Sequence, residues 1–373
     1  MTAERCCALA NWMRLLDSNS VLQDAKWSGC RPAAGWRSST YGFRLTAWSF
    51  PFSRRSAKPP WVRSPAGDTK ESSLDGPGYF SAHVVGLTYV DEHGELRSLS
   101  ERRDGAAFHE FKCSFGLYGI VVECLLEVRP ATLCRSDTSI QTFGSPEDLA
   151  AGLMTAREGS DNLLAIVFLH NLAGLFEQRY RAGLGAFTPD SSQPACEEYR
   201  VAKRLAIQRG FDGVSVPQPR GIVYSRADFI NEYWRPLADE SRLDFQYYEH
   251  DLSRLSPVMV ESSRFTKAFE ARTGFAPKCW ATFFVNRSEK SKKPFGLYSG
   301  GPGTSFSFDP CCSNPIDPLW QEFSRAYNQL AIHTLGGNAS PIQTQWLQRG
   351  HVTIPRKLAR PRFTTKYYEQ FLD

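Results

Sequence analysis

The sequence predicts an α+β fold whose strands pair mainly antiparallel. Three observations carry that expectation. Strand-length runs recur from residue 79 onward, either apolar throughout, as in Leu163–Leu169, or alternating, as in Thr304–Asp309. Short amphipathic helices with capping residues fall between some of them, without the strict strand–helix alternation of a parallel sheet. The 373 residues are 42% hydrophobic and 13% aromatic, enough to bury two cores.

Charge narrows the function classes. The net charge of +5 is concentrated at the start, where the first seventy residues carry 11 basic and 4 acidic side chains. The rest is close to neutral, which argues against a nucleic-acid-binding face. No stretch approaches the roughly 20 apolar residues of a membrane helix, so no transmembrane segment is expected. A cytoplasmic location is favoured, with organelle targeting left open. The ten cysteines include the adjacent pairs Cys6-Cys7 and Cys311-Cys312, but no CxxC and no Cys/His set at zinc spacing. Reduced, mostly buried thiols and no metal site follow. The triplets at Asn286 and Asn338 would accept glycans only in a secreted chain.

Residues 1–75 read as an irregular segment. Trp12, Trp27, Trp36, Trp48 and Trp61 are five of the nine tryptophans, and they follow neither helical nor strand period. The leading expectation is a stretch that does not fold alone, such as the product of a broken or mis-spliced gene. A small structured domain is a second reading. A transit peptide is a third, opposed by Glu4, Asp17 and Asp24.

Order begins at Tyr79–Val90, a β-branched and aromatic strand. The polar turn Asp91–Glu95, tight at Gly94, returns the chain through Leu96–Leu99 as a hairpin. Asp104 is placed to cap a short helix through Phe111. A glycine-punctuated loop from Ser114 then runs into a long strand ending near Pro130. Gly116 and Gly119 would let bare main chain approach a flat ligand, with free amides donating to its edge; the same spacing also suits a tight packing turn.

The second unit reads as α+β. Ser145-Pro146 opens a helix with Leu149, Leu153 and Met154 inward. Strands follow at Leu163–His170, Asp244–His250, Cys279–Asn286 and Thr304–Asp309, and a second amphipathic helix at Glu197–Arg209. Asp317 caps a further helix carrying Leu319, Trp320, Phe323, Tyr327 and Leu330, which Gly336-Gly337 ends.

Several spaced elements resemble a known family. V-x-G-L-x-x-V-D-x-x-G-E spans Val85–Glu95, F-x-x-F spans Phe108–Phe111, G-L-Y-G-I-V-x-E spans Gly116–Glu123, and V-R-P spans Val128–Pro130. In this order they resemble the second half of the FAD-binding domain of the PCMH-type, or vanillyl-alcohol-oxidase, family. The look is nearest to sugar-lactone, alditol and covalent-flavin cholesterol oxidases. F-S-F-D-P from Phe306, D-P-L-W from Asp317 and R-A-Y-N from Arg325 resemble the substrate domain of the lactone-oxidase-like branch.

The resemblance implies a domain plan. Residues 1–75 are irregular or non-native, 76–135 are the second half of an FAD-binding domain, and 136–373 are a substrate-binding domain with a large, mainly antiparallel sheet flanked by helices. It also implies FAD as cofactor, with Gly116, Gly119, Ile120 and Val121 along the flavin edge and, more loosely, Ser81 and His83 on the strand passing near it. The family's phosphate loop and flavin-linking histidine have no counterpart in residues 1–70, where no histidine occurs. Polyol and sterol members present a Glu-x-Arg pair on a strand facing the flavin, and Cys279-Trp280-Ala281-Thr282 carries none. Relatives also close with a segment returning to the cofactor domain, and its pattern is absent before Phe371-Leu372-Asp373.

The expected function is FAD-dependent oxidation of an alcohol, lactone or related small metabolite by hydride transfer to flavin. The alternative is a truncated, inactive remnant or a ligand-binding protein retaining the substrate domain. A base is needed for the substrate hydroxyl proton. Glu249, His250 and Lys357 are candidates by position, though each is a residue type that often serves structure alone.

Overall fold

The computed structural model describes residues 66–67, 78–112, 114–127, 133–181, 194–211, 215–218, 221–225, 244–287, 303–356 and 359–373. All but residues 66–67 of the irregular first segment, and Lys357, lie outside that set.

The small sheet forms as its pattern demands. β1 (Val84–Val90) and β2 (Leu96–Ser100) make the expected hairpin, and β3 (Ile120–Leu126) adds antiparallel to the other side of β1. Asp91 fixes the turn by accepting from the main-chain N–H groups of His93 and Glu95, both at 2.9 Å. Those bonds, with Arg97 close by, hold its carboxyl at about 2. The first helix, α1 (Glu101–Phe111), starts earlier than expected. Ser100 is its N-cap residue, and Asp104 accepts from the Ser100 N–H at 2.8 Å instead of being the cap itself. Gly105 kinks this helix, and Phe108 and Phe111 are buried against Val84, Leu87, Tyr89 and Val121.

The expected strand Tyr79–Val90 is shorter than its composition suggested. Phe80–His83 form a 3-10 turn, and the strand begins only at Val84. Ser81 and His83 therefore sit on the turn leading into β1, not on the strand. The Ser81 carbonyl accepts from the Val84 N–H, and the His83 carbonyl accepts from the Glu127 N–H at 2.8 Å.

The large sheet is the core of the molecule. It contains β4 (Leu133–Thr142), β5 (Asn162–Phe168), β6 (Ala173–Arg181), β7 (Ile222–Ser225), β8 (Asp244–Phe245), β9 (Tyr248–Asp251), β10 (Cys279–Arg287), β11 (Gly303–Cys312) and β12 (Asn338–Ala339). The order is β12-β9-β11-β10-β5-β6-β4-β7, with β8 also paired to β11, and every pairing is antiparallel. The expected α+β class with a large antiparallel sheet and flanking helices is what forms.

One face of this sheet is apolar. Leu163, Ala165, Val167, Phe176, Trp280, Phe284, Phe306 and Phe308 share a core with helices α2 (Pro146–Glu158), α4 (Leu255–Thr273) and α5 (Pro318–Gln329). Two of these helices carry the caps their sequences announce. Ser145 Oγ accepts from Asp148 N at 3.0 Å and Asp317 Oδ1 accepts from Leu319 N at 2.8 Å, each before a first-turn proline. Helix α4 has no such announcement and was not expected. Its buried stripe runs through Ser262, Ser263 and Thr266, so the apolar period is interrupted where it should peak. Gly274, at φ 74°, closes it in the left-handed conformation.

The opposite face holds Leu164, Ile166, Leu175, Cys279, Ala281, Phe283 and Cys311, partly covered by α3 (Pro194–Arg209) through Tyr199, Ala206 and Ile207. The single expected strand Asp244–His250 is broken in two. Tyr247 N donates to Thr344 Oγ1 and Tyr248 N to Asp309 Oδ1, both at 3.1 Å, so side chains take the donors a continuous ladder would have used.

Candidate functional site

A strand sends successive side chains to opposite faces, and β9 does so with Glu249 and His250. His250 joins the helix-covered face. Its ring stacks on Phe306 at 5.4 Å, and Nδ1 lies 3.4 Å from the Leu335 carbonyl. Gly337 permits this approach, because a Cβ there would fall 2.5 Å from His250 Cε1. The imidazole is 1% exposed, Nε2 has no hydrogen-bond partner, and burial pulls its pKa down to about 4. It is held neutral at physiological pH.

Glu249 turns the other way. It is 2% exposed and accepts from the Ser305 hydroxyl, from Tyr247 at 3.3 Å, and from Tyr79. Three hydroxyls thus surround the carboxyl group, and no ion pair to Glu249 occurs among the described residues. Tyr79 is fully buried and packs with Val285 of β10. The turn that leads into the small sheet therefore lies on the polar side of the large one. Ser307 stands on the same face, directly paired with Glu249, fully buried and with its hydroxyl unpartnered.

At the sheet edge a cleft of about 290 Å³ is lined by Glu249, His250, Asp251, Ser253, Arg254, Leu335, Gly336 and Asn338. None of Gly116, Gly119, Ile120 or Val121 lines it.

Further along the polar face lies a second charged group. Glu177 on β6 is fully buried between Arg179, 3.5 Å away, Lys203 and the Tyr199 hydroxyl. Burial alone would raise the Glu177 pKa, but the two cations outweigh it and hold it below the usual range. Burial lowers that of Lys203. This cluster was not expected. Its signal was legible all the same: Glu177 and Arg179 stand two residues apart and so share one side of β6 with Leu175. A Glu-x-Arg spacing thus occurs here on β6, not on β10.

The glycine loop is built as a turn. Phe115 and Gly116 both take positive φ, 56° and 79°, and Leu117 N donates to Ser114 O at 3.0 Å. Phe115 stacks on Tyr368 at 6.5 Å, the Leu117 carbonyl accepts from Arg360 N at 2.9 Å, and the Arg360 guanidinium lies 4.7 Å over the Tyr118 ring. Residues 359–372 thus return to the small-sheet module, although the family's closing pattern is absent from their sequence.

The positions implied for a flavin edge divide. Beside Gly116 there is nothing within 4 Å of where a Cβ would stand, and Ile120 is 48% exposed on β3, an edge strand among the described residues. Both leave room for a ligand, though the φ of 79° at Gly116 by itself already calls for glycine there. Gly119 does not require one: a Cβ there would meet the Tyr89 ring at 2.5 Å and the Val90 carbonyl at 2.8 Å, so the chain's own packing demands the glycine. Val121 is buried in the small core.

No protein-family model matches the chain, and no curated protein does. Among solved structures the chain is similar to a "Solvent-stable cholesterol oxidase", with a TM-score of 0.47 and 13% identity over 74% of this chain and 60% of that one. The chain spans about three fifths of that protein's length. Among the described residues no group of His, Cys, Asp and Glu could hold a metal ion, and no helix is long and apolar enough to cross a membrane.

Proposed function

We propose that this chain is a flavin-linked oxidoreductase acting on a hydroxyl-bearing small molecule, an alcohol or lactone, built on the PCMH-type plan of a cofactor module at 76–135 and a substrate domain at 136–373. The observation that carries the reading is the Tyr79–Glu249 hydrogen bond. It sets the module bearing the family-like string against the face of the large sheet that carries Glu249, opposite the face covered by α2, α4 and α5. Bound FAD would supply the hydride acceptor. Gly116 and Ile120 would border its ring. Glu249 is the group we assign to take the substrate hydroxyl proton; Tyr79, Tyr247 and Ser305 hold its carboxyl in place. His250 faces the other way and serves the packing of β9 instead.

The test is addition of FAD to purified protein, followed by absorbance and tryptophan fluorescence. Uptake of the yellow cofactor, weakened in Gly116→Val but not in Gly94→Ala, is the expected result. Anaerobic bleaching of the bound flavin by one of a panel of sugar lactones, polyols and sterols would then name the substrate class. A colourless protein that leaves the spectrum of added FAD unchanged would end the proposal.

The Gly119 packing favours a second reading, a ligand-binding protein without flavin, since that glycine is needed whether or not a ring lies beside it. It predicts small-molecule binding at the Glu249–Asn338 cleft with no flavin uptake.

A further inference from the structure

Cys279 and Cys311 stand directly opposite each other on β10 and β11. Both point to the α3 side of the sheet, within its apolar cluster, and both are almost fully buried at 2% and 3% exposure. Cys311 also donates to the Asp309 carbonyl at 3.2 Å. Directly paired residues of an antiparallel ladder lie about 4.5–5.5 Å apart at Cα, inside the window of roughly 4.4–6.8 Å that a disulfide needs. Cys279 is the first residue of β10 and Cys311 the next-to-last of β11, so the pair sits at the open end of the hairpin. A link there closes the longest loop the two strands offer and constrains the unfolded chain most.

We propose that Cys279 and Cys311 are a modification site, closing a cross-strand disulfide when the chain folds in the presence of a low-molecular-weight disulfide. The Cys279 thiolate attacks one sulfur of the small disulfide, forming a mixed disulfide and releasing one small thiol. Cys311, deprotonated, then attacks the Cys279 sulfur and displaces the second small thiol. Two protein thiols are oxidised, one small disulfide is reduced, and the two protons the protein thiols give up end on the two small thiols. Burial pushes the Cys311 thiol well above its usual range. Exchange is therefore slow in the closed sheet and proceeds while the β10–β11 end is open.

The full chain is refolded with oxidised glutathione, alkylated in denaturant without reductant, digested and mapped by mass spectrometry. The expected species is a Cys279–Cys311 linked peptide pair, lighter by two hydrogens than the separate thiols. Mild denaturant should speed its appearance. Dithiothreitol should lower the thermal midpoint by several degrees in the wild type and leave that of Cys279→Ser unmoved. Full alkylation of both cysteines, or a link from either one to a different cysteine, would overturn the assignment. Mapping the wild type keeps the test decisive if the serine variant fails to fold.

Discussion

The two faces of the large sheet are built from the same strands and answer to different demands. On the helix-covered face Trp280 stacks on Phe308 at 4.6 Å, and Phe323 and Tyr327 of α5 close over them. On the other face the same strands present Ser305, Ser307, Glu249, Glu177 and Arg179, all at 4% exposure or less. Apolar burial stabilises by roughly 25 cal/mol per Å², whereas burying charge costs free energy unless partners compensate it. The first face is what holds the fold together. The second combines a smaller apolar cluster under α3 with buried polar groups that an economical core would exclude.

That contrast can be broken by substitution. The largest effect is expected from Trp280→Ala, which empties the centre of the apolar face. It should lower unfolding free energy by about 3–5 kcal/mol in urea titrations, and a loss below about 1 kcal/mol would mean the aromatic stack is not the keystone. Glu177→Ala removes the carboxylate that Lys203 and Arg179 share and should cost on the order of 3 kcal/mol. Glu177→Ala with Lys203→Met should recover much of that loss, as the coupling in a double-mutant cycle will show.

The pH dependence sharpens the comparison from the apolar side. The His250 pKa is about 4 in the folded chain and near 6.5 when unfolded. The unfolded chain therefore binds the extra proton first. His250 contributes its stability above pH 6.5, and that contribution is lost as pH falls from 6.5 through 4, by roughly 3 kcal/mol in all. His250→Gln should flatten the urea midpoint across that window. An unchanged slope would show the ring is not held neutral by burial. The smallest effect on stability is expected for Glu249→Gln, about 1 kcal/mol or less, because the amide oxygen can still accept from the two tyrosine hydroxyls while its NH2 donates to the Ser305 oxygen. If Glu249 serves chemistry, that same variant should lose substrate-driven flavin bleaching while still taking up FAD.

The sequence itself determined the α+β class, the β1–β2 hairpin, and the helices at Pro146 and Pro318, because each was written in local signals: alternation, an Asp-x-x-Gly turn, and Ser-Pro or Asp-Pro caps. Tertiary contacts decided the rest. Helix α4 can bury Ser262 on its inner stripe because Tyr327 offers it a hydroxyl partner at 2.8 Å, which no local pattern reveals. The strand at Asp244–His250 breaks because Thr344 and Asp309, distant in sequence, take its donors. Glu249 and His250 could be named as candidates from type and position, and alternation already put them on opposite sides. Only the fold brought Tyr79 from 170 residues away to one of them and Leu335 and Phe306 to the other. Local propensity is short-ranged, whereas the partners that make a buried polar group tolerable are chosen by the packing of the whole chain.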